Sequence, residues 1–331
     1  MATLRYILKR LLQAIPLLFG ISLLSFFLIN LAPGDFLAHQ RANPQVSDEM
    51  LRQLEIDFGM VNPETGEPTT WIWQYGVWVW NISTEGNWGH SFSTRQPVWD
   101  VIWTRLLNTL WLSVSALGIG LIIAIPLGIY TAVRQYRWQD MGGSFFAFVG
   151  LSIPDVFLAL LMLMLAAATG WFPLGGMRSL DFDELTGGQR VLDLLHHVAA
   201  PALVLGTALM AGYMRQMRGN LLDVLESDYV RTARAKGLSE GTVVIRHGAR
   251  NAINPLITMF GYSLSGLLSG SVLVENVMAW PGLGRTVVEA LFAKDLYLVV
   301  ASVMMASVML IVGNLIADIL LAWNDPRIRL E

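Results

Sequence analysis

Six predominantly apolar runs constrain this chain more than any other feature: Leu11–Leu31, Leu106–Val133, Gly143–Thr169, Val198–Met214, Ala252–Val274 and Leu296–Trp323. A helix needs about 20 mainly apolar residues to cross the hydrocarbon core of a bilayer. The runs therefore predict an all-α polytopic membrane protein with six transmembrane helices. The fourth run is the shortest; the second, third and sixth exceed the minimum and predict tilt or extension beyond the membrane. Composition agrees, because 54% of the 331 residues are hydrophobic and only 14% are charged, against about 25% charged in soluble domains. With no cysteine, the chain has no disulfide framework and no thiolate metal site.

The opening "MATLRYILKRLLQAIPLLFGISLLSFF" has the basic flank of a signal peptide. Its apolar run is too long for a typical signal core and no A-x-A site follows, so an uncleaved first span is expected. Lys and Arg set the orientation. The even-numbered connections and both termini hold 14 cations against seven acids, whereas the odd-numbered connections hold eight cations against 16 acids. Both termini are accordingly expected in the cytoplasm.

Three segments follow: residues 1–34 with the first span, an extracytoplasmic insertion over 35–105, and a five-helix core over 106–331. The insertion contains "DEMLRQLEIDFG", where Met50, Leu51, Leu54 and Phe58 suit a short amphipathic helix. It also holds "WIWQYGVWVWNI" and seven of the twelve tryptophans. Trp71, Trp73, Trp78 and Trp80 either form an aromatic belt at the outer interface or belong to a folded cap that touches an extracytoplasmic partner.

Enzymatic motifs are missing. No G-x-x-x-x-G-K-[ST] offers a phosphate cradle, and no H-E-x-x-H offers a zinc site. Adjacent His196 and His197 point about 100° apart on a helix, a poor geometry for sharing a metal. "GYSLSG" suggests an intramembrane serine hydrolase using Ser263, but each histidine belongs near a membrane face. Small-residue packing through Gly261, Ser265, Gly266, Ser269 and Gly270 explains the same letters. Asp155 and Asp318 lie within spans, where a carboxylate costs about 2.5–3.5 kcal/mol on insertion scales. Each either lines a polar pathway or bonds a neighbouring helix. Asp318 lies nearer the cytoplasmic end, which favours bonding, and a proton-coupled secondary transporter with Asp155 or Asp318 as the carrier is a further alternative.

The loop over 215–252 carries the densest charge, in "DYVRTARAKGLSEGTVVIRHGARNAINP". Ser227 and Asp228 suit a helix start and Gly237 a helix stop. The short helix between them carries Arg231, Arg234 and Lys236 among small Thr232, Ala233 and Ala235. It is too short to span and too small to bury a core. Two uses remain open, insertion into a groove of a soluble partner or rest on anionic lipid.

This run resembles the cytoplasmic "EAA" loop of permease subunits in ABC importers, and nearly the whole chain is similar to their dipeptide/oligopeptide branch. "RYILKRLLQAIPLLFGISLLSFFLINLAPGD", "GNWGHSF", "RLLNTLWLS", "IPLGI", "LSIPDVFLALL", "VENVMAWPGLGR" and the closing "DPRIR" carry the rest of the likeness. The sequence departs from the general signature at Arg231, where glutamate is usual, and at Thr232, where alanine is usual. The signature's proline register falls on Arg250, with the nearest later proline at Pro255. Asp155 stands where the branch often has a small polar residue.

The resemblance implies a type I ABC-importer permease fold. It implies a second, non-identical permease subunit, two cytoplasmic ATPase subunits and an extracytoplasmic solute-binding protein, in membrane lipid and without nucleic acid. It implies no cofactor in this chain, with ATP and Mg on the partner ATPase subunits. Asp228, Arg231, Thr232, Ala233, Arg234, Ala235, Lys236, Gly237 and Leu238 become candidates for ATPase coupling. Asp155, Ser263, Ser265, Ser269 and Glu275 become candidates for the translocation pathway or gate. The four tryptophans become candidates for binding-protein contact.

Overall fold

Lipid supplies no hydrogen bonds, so a chain that spans it is restricted to helices or closed barrels. This chain takes helices. The computed structural model describes residues 2–31, 37, 47–57, 59–62 and 65–324. In order the main helices are α1 (Ala2–Leu31), α2 (Asp48–Asp57), α3 (Trp71–Glu85), α4 (Val98–Val133), α5 (Trp138–Ser152) and α6 (Asp155–Thr169). They continue as α7 (Gly187–Leu225), α8 (Asp228–Ala235), α9 (Asn254–Gly270), α10 (Val272–Val277), α11 (Leu283–Ala293) and α12 (Leu296–Asn324). Among the described residues no strand is formed, only isolated bridges from Val61 to Pro68 and His90 to Pro97. The helix predicted from Met50, Leu51, Leu54 and Phe58 is α2; Phe58 itself lies outside the described residues.

Among the described residues four helices are long and apolar enough to cross a membrane: α1, α4, α7 and α12. Three of these contain an internal proline, Pro16, Pro126 and Pro201 respectively in α1, α4 and α7. The third predicted run is not a single rod. α5 and α6 meet at 102°, because Ile153 and Pro154 are both extended, with ψ of 122° and 138°. Proline disfavours the α region for the residue before it, whereas hydropathy registers composition and not direction. The fifth run also differs from expectation. α9 has 17 residues, short of the roughly 20 that a full crossing takes, and α10 follows after Ser271.

The chain divides into two compact units, Met1–Leu8 with Thr109–Pro281 and Met309–Glu331, and Lys9–Asn108 with Gly282–Val308. In the first, a core of Leu112, Ala116, Ala124, Val204, Leu205, Met214, Met217 and Trp280 is buried among the helices. Backbones approach closely where α4 meets α7. A Cβ on Gly128 would lie 2.7 Å from Met217 Cβ and 2.8 Å from the Met214 carbonyl, and one on Gly206 would lie 3.0 Å from the Ala116 carbonyl. Small residues thus serve helix contact where α4 meets α7, and Gly261 of the predicted "GYSLSG" segment is buried. A Cβ on Gly266 would meet nothing within 4 Å. Gly128→Ala forces backbone apart and is expected to destabilise the chain by about 1–3 kcal/mol. An unchanged apparent melting temperature in detergent would contradict that packing.

In the second unit an aromatic core of Phe26, Tyr75, Trp78 and Phe92 packs with Leu296 and Val300. Phe26 and Tyr75 meet edge to face at 5.4 Å, and the Tyr75 and Ser22 hydroxyls share a hydrogen bond of 2.9 Å. This core ties α3, within the predicted insertion, to α1 and to the start of α12.

Candidate functional site

The basic run folds as a short helix after the end of α7. α8 begins after Ser227, whose backbone is extended (ψ 151°) as a cap requires. Its hydroxyl does not cap the helix; it donates to the Val224 carbonyl at 2.6 Å. Val230 and Ala233, three apart on one face, are buried with Val243 against Val224 and Leu225. The helix ends at Ala235, one residue before the predicted Lys236, and Gly237 turns the chain with φ +81°. That left-handed conformation costs a residue with a Cβ about 1–2 kcal/mol.

Of the candidate coupling residues, only Ala233 faces inward. Asp228, Arg231, Thr232, Arg234, Ala235, Lys236, Gly237 and Leu238 are all exposed. Arg234 donates through Nη2 and Nε to the two Glu240 oxygens at 2.7 and 3.2 Å. That hydrogen bond holds the Glu240 carboxyl below its ordinary range and raises Arg234. Arg231 lies 3.6 Å from Asp228 with both side chains in solvent, an arrangement worth little. Arg231, Thr232, Lys236 and Leu238 are therefore exposed side chains of which only the Thr232 hydroxyl, donating to the Asp228 carbonyl at 2.9 Å, makes a close hydrogen bond within the segment. Beyond the turn, Val243–Ala249 is π-helical where an ordinary lead-in helix was expected. Such segments are rare and frequent at functional sites.

An ion pair the sequence reading missed braces this region. Arg218 on α7 donates through Nε and Nη2 to the two oxygens of Asp140 on α5, at 2.6 and 2.7 Å. Asp140 is almost fully buried and also accepts from the Tyr136 N–H at 3.0 Å.

Of the five pathway candidates, the side chains of Asp155, Ser263 and Glu275 are described. Asp155 opens α6 at the 102° corner, half-buried, with no side-chain hydrogen bond among the described residues. Asp318 accepts a hydrogen bond from the Tyr6 hydroxyl at 2.7 Å, the inter-helix bond that was one of its two expected roles. Ser263 accepts from the Tyr213 hydroxyl at 3.0 Å. His196 and His197, the candidate bases for Ser263, are engaged elsewhere: His196 Nε2 with the Trp171 carbonyl and His197 Nδ1 with the Asp193 carbonyl, each at 2.9 Å. Glu275 is fully buried and accepts from Thr109 at 2.8 Å and Ser271 at 2.9 Å, pinning α10 to α4. The side chains of Ser265 and Ser269 lie outside the described residues.

On α3 the tryptophans divide by helical phase. Trp78 is buried, 3% exposed, and donates to the Trp88 carbonyl at 3.1 Å. Trp71 is half-buried and packs on Phe27 at 5.5 Å. Trp73 and Trp80 point outward, 60% and 68% exposed. With Ile72, Gly76 and Val77 they line a shallow groove of about 560 Å³. Of the four candidate tryptophans, Trp73 and Trp80 are the most exposed.

A second missed cluster ties the insertion to the last helix. Asp295 is fully buried and accepts at Oδ2 from the Ser91 hydroxyl (2.6 Å), the Ser93 hydroxyl (2.9 Å) and the Ser93 N–H (2.9 Å). Its Oδ1 accepts from the Leu298 N–H at 3.3 Å. An aspartate directly before an apolar run is an N-cap signal, so half of this role was available from the sequence.

Comparison with known proteins agrees over the whole length. Residues 124–330 match the family described as binding-protein-dependent transport system inner membrane component, and residues 3–113 match the N-terminal domain of such membrane components. The oligopeptide transport system permease protein AppB of Bacillus subtilis is 41% identical over 325 residues, 98% of each chain. The glutathione transport system permease protein GsiC of Escherichia coli K12 is 36% identical, over 98% of this chain and 99% of its own. The dipeptide transport system permease protein DppB of Alkalihalophilus pseudofirmus is 33% identical over the same shares.

Proposed function

Because this chain belongs to the binding-protein-dependent transport system inner membrane component family and is a permease subunit of an ABC importer, we propose that α8 is its coupling element. An importer of this family works with an ATPase and a binding protein. We assign the exposed side of α8 and the turn after it, with Arg231, Thr232, Lys236 and Leu238, to a cleft of a cytoplasmic ATPase subunit. ATP and Mg stay on that partner, and this chain has no nucleotide site of its own. Closure of the ATPase pair would press on α8 and, through the buried Val230–Ala233–Val243 contact, on α7 and the segment leading to α9.

The observation that carries this reading is the division of the 228–238 segment into an anchored side, Val230 and Ala233, and an exposed side on which Lys236 has no side-chain partner among the described residues. A lever needs both, one side fixed to the element it moves and the other free to be gripped. The complete assembly has two non-identical permease subunits, two ATPases and one solute-binding protein. This subunit has six spans, with the bent α5–α6 pair and α9–α10 each completing one, and both termini are cytoplasmic. Asp155, Ser263, Ser265, Ser269 and Glu275 are assigned to the pathway or its gate, and Trp73 and Trp80 to binding-protein contact. The substrate class is small peptides or glutathione-like compounds, after the systems its relatives serve.

Topology is the direct test. The chain has no cysteine, so Lys236→Cys can be labelled without background. In intact cells a membrane-impermeant maleimide is expected to leave it unmodified, with labelling only after permeabilisation. Labelling from outside would reverse the orientation and remove the coupling role.

A further inference from the structure

Close to the Asp140–Arg218 brace, α5 and α7 leave a cavity of about 280 Å³. Its lining has two characters. Arg215, Arg218 and Ser144 supply cationic and hydroxyl groups, while Phe148, Leu151 and Met214 supply apolar ones. Arg215 is exposed and has no side-chain partner among the described residues. Arg218 uses two N–H donors on Asp140, and a guanidinium has five. Counting the two arginines against Asp140 leaves one positive charge in the group.

The shape of the demand is that of an amphiphile. Phe148 is 70% exposed, and its neighbours Phe145 and Phe146 are 63% and 72% exposed, so the outer face of α5 is apolar right beside the cationic end. A free anion would satisfy Arg215 but leave Phe148 and Leu151 uncovered. A peptide carboxylate would do the same unless its side chains were apolar. We propose that this cavity binds the phosphate of an anionic phospholipid, with Arg215 and Arg218 as donors and the acyl chains along Phe148 and Leu151. Basic pockets between helices hold anionic headgroups on the same physical grounds. Naming the leaflet as the inner one rests on the topology proposed above.

Native mass spectrometry of the assembled importer tests it, with phosphatidylglycerol and phosphatidylcholine added in turn. Phosphatidylglycerol is expected to be retained preferentially. Arg215→Gln should weaken that retention about fivefold, the effect of roughly 1 kcal/mol per basic residue, and leave phosphatidylcholine unchanged. Arg215→Lys should restore most of it, and Phe148→Ser should weaken both lipids. Equal phosphatidylglycerol retention in Arg215→Gln overturns the site. Displacement by inorganic phosphate would make it a free-anion site, and displacement by a transported peptide would make it part of the pathway; either also overturns it. Should Lys236→Cys label from outside while the lipid results hold, the topology fails and the lipid site stands.

Discussion

Replacing Thr232–Gly237 with a flexible Gly/Ser segment of equal length is expected to abolish uptake and to release the ATPase subunits on purification. The exchange removes the outward residues Thr232 and Lys236, the anchor Ala233 and the turn at Gly237 (φ +81°). Surface charge alone would predict a graded loss, because exposed ion pairs contribute about 0–1 kcal/mol each. A seated lever predicts an all-or-none loss. Ala233→Asp separates anchor from grip. A carboxylate forced among Val230 and Val243 lacks a partner there and would detach α8 from α7. ATPase subunits would then still co-purify while transport fails, which is the signature of broken transmission. Unimpaired uptake after the Thr232–Gly237 exchange would eliminate the coupling assignment.

Asp295→Ala is expected to be the most destabilising single change outside that loop. It strips the acceptor from two hydroxyls and one N–H of Ser91 and Ser93 and takes the cap from α12. Hydrogen bonds to a charged group are worth about 1.5–3 kcal/mol each, and they share one carboxylate, so about 3–5 kcal/mol in total is the expected scale. Unfolding of such a protein is expected to be irreversible, so the readout is its half-life at fixed temperature in detergent. Asp295→Asn keeps the shape but weakens the acceptor and should fall between. Coupling must also show: adding Ser91→Ala to Asp295→Ala should cost far less than Ser91→Ala alone. Simple additivity of the two changes would mean that the hydrogen bonds do not act as a unit.

Much of the architecture was legible because lipid removes choices. Where every backbone group must be satisfied internally, a long apolar run has to be a helix, and α1, α4, α7 and α12 follow the predicted runs. The lever was legible too, since Gly237 and the change from apolar to basic residues mark its limits. Other features left weaker traces. Pro154 announced a bend but not its 102°. Ser227 was the right residue type for a cap, yet its hydroxyl found the Val224 carbonyl instead. Trp78 and Trp80 look equivalent in the sequence, and a helical phase difference buries one and exposes the other.

By itself, the sequence determined the class of the protein, its family and the place where a basic helix interrupts an apolar chain. These depend on local composition, which hydropathy and short motifs report directly. Only the tertiary structure decided which charges are spent within the chain and which remain available. Asp140 finds Arg218 across 78 positions and Asp295 finds Ser91 across 204, and no periodicity carries such pairings. A carboxylate in an apolar interior must find donors wherever the packing places them, so its partner is set by how helices meet and not by what lies next to it along the chain.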